Sequence, residues 1–256
     1  MKTSEYTYVL PKELIAQEPI EPRDNSRLMR VNRANNQIDH NIFTDLSKYL
    51  NPGDLLIMND SKVIPARLHG KRIPTGGQIE LLLLRQITEG EWEVLAQPGN
   101  RLKEGAKLIV GENDLSVQGE VLQSTNLGTR IIKFESEGAL QKTLKHHGEV
   151  PLPPYIQTPL STPERYQTVY AKVDGSAAAP TAGLHFTEHL LKQVRKKGVH
   201  IVFVTLHVGL GTFQPVRTEN PKEHNIGSEY FSFSTESANL IKNAKNSDNR
   251  IVCVGT

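Results

Sequence analysis

Apolar and polar positions alternate with different periods along the chain, and the period changes twice. Pro11 to Gln17 predicts a short helix with Pro11 in its first turn. The polar run Glu21-Pro22-Arg23-Asp24-Asn25-Ser26-Arg27 predicts turns, and Leu28 to Val31 a strand. Phe43 to Leu50 has helical spacing and stops at Asn51-Pro52-Gly53. Asp54 to Met58 is a short apolar run bounded by turn signals, the pattern of a buried strand. Asn59-Asp60-Ser61 turns the chain, and Val63 to Leu68 resumes it.

From Gly70 to about Gly138 the texture is β-rich. Short runs at Gln78 to Leu84, Trp92 to Ala96, Lys107 to Val110, Leu115 to Leu122 and Arg130 to Phe134 are separated by turns, the spacing of a small barrel or sandwich. Gly138 to His147 then has helical spacing, and Val150-Pro151-Leu152-Pro153-Pro154-Tyr155 is a stiff connector. Beyond it the α/β pattern returns. Thr187 is the N-cap of a helix over Glu188 to Lys197 that stops at Gly198. Val199 to Leu206 is a strand, Ser237 to Lys245 a helix and Arg250 to Val254 a strand. The expected fold is therefore an α/β main domain (1–69 and 139–256) carrying an inserted, barrel-like all-β domain (70–138). The chain stops at Gly255-Thr256, directly after a strand, where a functional loop of an α/β sheet would begin. It is therefore expected to be truncated at its C-terminus.

Composition narrows the class. Hydrophobic residues are 37% and charged residues 23% of 256, ordinary for a globular protein. A net charge of +2 argues against bulk-charge binding of nucleic acid and leaves a local basic patch open, such as Lys192, Arg195, Lys196 and Lys197. That run either faces solvent or meets phosphate. The lone Cys253, inside Ile251-Val252-Cys253-Val254, reads as a small core residue. No apolar run suits a signal peptide or membrane helix, so a cytoplasmic location is expected, with no membrane partner.

Two segments concentrate the candidate chemistry, Ala178 to Thr187 and Thr205 to Pro215. The first sits just before a helix N-terminus and the second follows a strand, so both are expected at the carboxyl edge of the sheet, where open α/β sheets bind ligands. Gly183, Gly209 and Gly211 let main-chain N–H groups approach a ligand. His185 and His207 exchange protons near neutral pH. Phe186 and Phe213 offer faces to a base or a cation. His185-Phe186-Thr187-Glu188-His189 also fits the H-x-x-E-H pattern of a zinc hydrolase. A cap at Thr187 would leave His185 outside the helix, so no metal is expected.

The segments AAPTAGLHFT and TLHVGLGTFQPV closely resemble those of the S-adenosylmethionine:tRNA ribosyltransferase-isomerases of queuosine biosynthesis. So do LPKELIAQEPIEPRDNSRLM, NPGDLLIMNDSKVIPARLHG, GQIELLLL, GEVPLPPYI, ERYQTVYA and RIVCVGT, in order along nearly the whole chain. The resemblance implies an α/β domain with an all-β domain, and an enzyme acting on tRNA that carries 7-aminomethyl-7-deazaguanine at the wobble position. The ribosyl part of S-adenosylmethionine would be transferred and rearranged onto that amine, giving epoxyqueuosine and releasing adenine and methionine. S-adenosylmethionine is then a consumed substrate, no cofactor is expected, and the protein is expected to be a monomer. Proton transfer falls to His185 and His207, joined by Glu229. Substrate contacts fall to Arg23, Asp24, Ser26, Arg27, Asn59, Asp60, Arg67, Thr181, Gly183, Phe186, Gly209, Gly211, Thr212, Phe213 and His224. For Arg23 and Arg27 a solvated turn is the alternative to phosphate or carboxylate contact. The family's His-Asn-Met-His-Ser/Ala-Glu pattern reads His224-Asn225-Ile226-Gly227-Ser228-Glu229 here, with Gly227 in place of the second histidine. That departure and the early end favour a second class, a silent protein that binds tRNA or S-adenosylmethionine.

Overall fold

The computed structural model describes residues 2–160, 162–212, 216–224, 226 and 228–255. Phe213 and Gly227 lie outside the described residues. Among the described residues no helix is long and apolar enough to cross a membrane.

The apolar run after Gly53 forms β3 (Leu55–Asn59), the middle of a four-stranded sheet. On one side of it lies β12 (His200–Leu206), parallel to it, followed by the antiparallel edge strand β13 (Phe231–Ser232). On the other side lies β14 (Ile251–Cys253), also parallel. Leu56 and Met58 pack on one face with Leu190, Leu191 and Val194 of α3 (Glu188–Lys196). Leu55 packs on the other with Ala244 of α4 (Thr235–Asn246). Burial on both faces is why β3 reads as an unbroken apolar run.

The β-rich stretch forms a closed antiparallel barrel in the order β10-β7-β6-β5-β8-β9. Its strands are β5 (Arg67–Ile73), β6 (Gln78–Thr88), β7 (Glu91–Gln97), β8 (Lys107–Val110), β9 (Val117–Ser124) and β10 (Arg130–Phe134). Period-2 alternation turns Trp92, Val94 and Ala96 of β7 inward. α2 (Glu137–His147), capped by Ser136, packs Leu140 and Leu144 against the barrel core. Short strands β4 (Ser61–Val63) and β11 (Val173–Ser176) pair in parallel across the barrel's entry and exit.

Several expectations are corrected. Pro11 to Gln17 holds only a 3-10 turn over Lys12–Leu14, with no buried residue. A short helix without a packed face lacks the tertiary support that helices need. Phe43 to Leu50 splits into a 3-10 turn and α1 (Leu46–Tyr49). Val63 to Leu68 splits into β4 and β5 at Pro65, which cannot donate to a ladder. A hairpin of β1 (Arg27–Asn32) and β2 (Gln37–Ile42) was legible only in its first strand, because β2 is mostly polar. Cys253 is exposed rather than core. Alternation along β14 gives the inward position to Val252, which packs against the α3-side core.

Asp54 fastens β14 to β3. Its buried carboxylate accepts from Arg250 Nε at 2.9 Å, from Arg250 Nη2 and from the Asn51 N–H at 2.6 Å. Arg250 first, then Asn51, hold the carboxyl below the usual range against the opposing effect of burial. A depressed folded-state value means stability that is present at neutral pH and lost as pH falls below about 4. Asp54→Asn is expected to cost about 1–2 kcal/mol at pH 7, since half-exposed Arg250 remains hydrated. Urea unfolding at pH 7 and pH 3 checks this. The variant's deficit should shrink at the lower pH.

Candidate active site

A cleft of about 1260 Å³ opens between the barrel and the sheet. Leu84, Trp92 and Glu93 line it from the barrel, and Leu144 and Lys145 from α2. Lys62, Asp174, Gly175, His207, Gly209, Glu229 and Tyr230 face them from the α/β side.

His207 reaches the cleft because the end of β12 is tied down on both sides. Asn59 accepts from Leu206 N–H at 3.0 Å and donates to Leu206 O at 2.9 Å. Buried Ser176 Oγ accepts from Val208 N–H at 3.0 Å and donates to Ala178 O at 2.8 Å. The His207 N–H donates to Tyr230 O at 3.0 Å. The imidazole stacks on Tyr230, with centroids 5.4 Å apart and planes 18° apart. Gly175 closes in on it: a Cβ there would lie 2.9 Å from Nε2, and its φ of +135° suits glycine alone. Nδ1 is buried with no hydrogen-bond partner among the described residues. Burial pushes the imidazole below its ordinary pKa, and the charge of Asp60 opposes this. His207 is thus held as the neutral, proton-accepting form at neutral pH. Glu229 lines the same cleft and accepts from the Gly209 N–H at 2.8 Å.

The other segment builds something different. The 3-10 turn Arg23–Asn25 meets the 3-10 turn Thr181–His185. Ser26 Oγ and His185 Nδ1 are 2.8 Å apart. Thr187 Oγ1 donates to buried Asp24 at 2.7 Å while accepting from Leu190 N–H as the α3 cap. Arg23 Nη1 donates to Gln167 O at 2.9 Å and Leu184 O at 3.3 Å. Together these contacts form a clasp that holds the N-terminal segment against the start of α3. Burial lowers the His185 pKa most; a hydrogen bond to the Arg23 main chain opposes this, and the charges of Arg165 and Arg23 lower it further. Its ring packs on Phe43, with centroids 5.2 Å apart.

The two histidines therefore do not share the cleft. α3 runs back to Gly198 beside the start of β12, so both segments lie toward the carboxyl end of the sheet. Only the second opens into the cavity. Phe186 offers no face to a ligand, because it is fully buried and packs edge-on to Phe43 at 5.0 Å. Gly183 is a packing glycine: a Cβ there would lie 2.1 Å from Tyr170 Oη. Thr187 caps α3, so the helical pairing of His185 with His189 that a zinc site requires does not form.

Asn59 directs its amide at main-chain groups. Asp60 accepts from Thr205 Oγ1 at 2.7 Å and borders a second groove along β12. Arg67 pairs with Glu80 at 3.3 Å in the barrel. Gly211 packs so tightly on Ile226 that a Cβ would lie 2.6 Å from its Cγ2. Arg27, Thr181 and Thr212 are exposed, and His224 is half-buried after the turn Pro221–Glu223. Motif reading missed Gly175, Ser176, Tyr230, Lys62, Asp174 and Trp92. Lys62, Trp92, the run Asp174-Gly175-Ser176 and Tyr230 lie far apart along the chain with no shared pattern, and Tyr230, next to Glu229, was the one within reach.

A closed barrel joined to a doubly covered α/β sheet, with a histidine-bearing cleft where they meet, defines an α/β protein with an attached β-barrel and a cavity of ligand size. The family described as "Queuosine biosynthesis protein" matches residues 3–256. Proteins named S-adenosylmethionine:tRNA ribosyltransferase-isomerase from Halothermothrix orenii and Clostridioides difficile are each 51% identical over 256 residues. Each alignment covers 100% of this chain and 74% of the relative. A crystal structure described as S-adenosylmethionine tRNA ribosyltransferase from Thermotoga maritima is 34% identical, covering 97% of this chain and 68% of that one, with a TM-score of 0.42. The chain belongs to the queuosine biosynthesis family.

Proposed function

We propose that the chain is a tRNA-modifying enzyme that moves the ribosyl part of S-adenosylmethionine onto 7-aminomethyl-7-deazaguanine at the tRNA wobble position. Epoxyqueuosine forms, and adenine and methionine leave. The observation that carries this is the 51% identity, along the whole chain, to relatives named S-adenosylmethionine:tRNA ribosyltransferase-isomerase. S-adenosylmethionine is consumed as a substrate, and the reading needs neither cofactor nor metal. A cytoplasmic monomer that meets tRNA directly is part of the same proposal. So is the division into 1–69 with 139–256 and an inserted 70–138; the pairing of β4 with β11 supports an insertion between them, and the barrel itself takes in Arg67 to His69 of β5 and the α2 residues Leu140 and Leu144.

The residues divide by their surroundings. The sulfonium makes the neighbouring 5′ carbon acidic, and neutral His207 is suited to take that proton. Glu229 and the Tyr230 ring offer a carboxylate and an aromatic face to the sulfonium. The departing adenine requires a proton, which protonated His207 can return. His185, with Ser26, Asp24 and Arg23, keeps the α3 N-terminus in place behind the cleft.

The test is release of adenine from S-adenosylmethionine in the presence of precursor tRNA, followed by chromatography. Adenine and methionine should appear in step with epoxyqueuosine in the tRNA. Tight tRNA binding with no adenine release would instead support the silent binding protein to which Gly227 points.

A further inference from the structure

We propose that Gln167 is a positioning residue for the reaction, holding His207 in place through β4 and β11 without touching the substrate. This rests on the transfer chemistry assigned to the cleft. Gln167 belongs to the stretch Glu164 to Ala171, none of which lines the cleft. Its side chain nevertheless grips the segment that does. The amide accepts from the Val63 N–H at 3.0 Å and donates to the Val63 carbonyl at 2.8 Å. Main-chain groups point alternately to the two sides of a strand. On one side β4 pairs with β11, and the Ile64 N–H donates to Ser176 O at 3.1 Å. On the other side the Gln167 amide takes the place of a neighbouring strand and satisfies both main-chain groups of buried Val63.

Gln167 is itself fixed. Its main-chain carbonyl accepts from Arg23 Nη1 at 2.9 Å. Just before it, Arg165 pairs with Glu21 and donates to Ile20 O at 2.8 Å, and Tyr166 packs with Val63 and Ala179. A continuous set of contacts thus runs from the N-terminal clasp through Gln167, β4 and Ser176 to the Val208 N–H, one residue beyond His207. The same strands bring Lys62 into the cleft and Gly175 against the His207 ring. Releasing Val63 frees β4 to shift, and β11 and the imidazole shift with it. A misplacement of about 1 Å can cost about 10²-fold in rate.

The experiment measures kcat and KM for S-adenosylmethionine in adenine release with precursor tRNA, below the melting transition of each variant. Gln167→Met keeps length and bulk and removes both hydrogen bonds. It should lower kcat about 10-fold or more, while KM stays within about twofold. Gln167→Glu keeps the acceptor but sets a second, unprotonated oxygen against the Val63 carbonyl, and it should show the same loss. Ser176→Ala breaks the path at its other end. Because the two residues act through one path, Gln167→Met/Ser176→Ala should lose little more than the worse single variant, not the product of both losses. Unchanged kcat in both Gln167 variants, with an active wild type, overturns the positioning role and leaves the function standing. So does a double variant that loses the full product. A wild-type chain that releases no adenine overturns the positioning role and the functional reading together.

Discussion

Replacing His207 with alanine is expected to lower kcat/KM for adenine release by about 10²- to 10⁴-fold, the range associated with loss of a positioned acid–base group. Each factor of ten corresponds to about 1.4 kcal/mol of transition-state stabilisation. The expectation rests on placement. His207 lines the cleft, is stacked on Tyr230, and is held neutral by burial. The acid limb of the wild-type pH–rate profile should accordingly lie below the ordinary histidine value of about 6.5. Asp60 moderates the shift without reversing it. His185→Ala should behave differently, because that ring is tied to Ser26 and packed on Phe43 outside the cleft. Its main effect should be on stability, with a smaller loss of rate. Steady-state kinetics on both variants from pH 5 to 8, with melting curves, separate the two. Equal kinetic losses with equal stability would sink the assignment of chemistry to His207 alone.

Phe186→Ala is expected to cost about 3–5 kcal/mol of folding free energy. For a chain of this size that lowers the melting temperature by roughly 10 °C. Phe186 is fully buried and sits where α3, Phe43 and Tyr170 meet, so truncation opens a cavity among residues that cannot collapse into it. Below the melting transition, KM for S-adenosylmethionine should change little. A variant that melts like wild type but shows a raised KM would mean that the ring serves a ligand after all. Differential scanning fluorimetry and KM measured well below the transition decide between the two outcomes.

Much of the fold was legible because local pattern and tertiary burial agreed. The barrel strands alternate with period 2, and β7 turns Trp92, Val94 and Ala96 inward as that pattern requires. Thr187 caps α3 as its residue type suggests, with its hydroxyl accepting from Leu190 N–H. Legibility failed where a segment's structure depends on a distant partner. Polar β2 is a strand because β1 pairs with it. Cys253 is exposed because Val252 holds the inward position on β14.

The sequence by itself determined the kinds of element, the change of texture at the barrel, the family, and a pair of segments rich in glycine and histidine. These are properties of neighbouring residues and of long matched motifs, and they survive without coordinates. Only the tertiary structure decided what each segment does. It ties His185 into a clasp with Ser26 and leaves His207 in the cleft between Gly175 and Tyr230. It buries Phe186 in the core and leaves Phe231 and Phe233 exposed. The two histidines share a residue type, and their loops share a sheet end. What separates them is which distant segments pack beside each ring, and burial and hydrogen bonding are set by those contacts rather than by spacing along the chain.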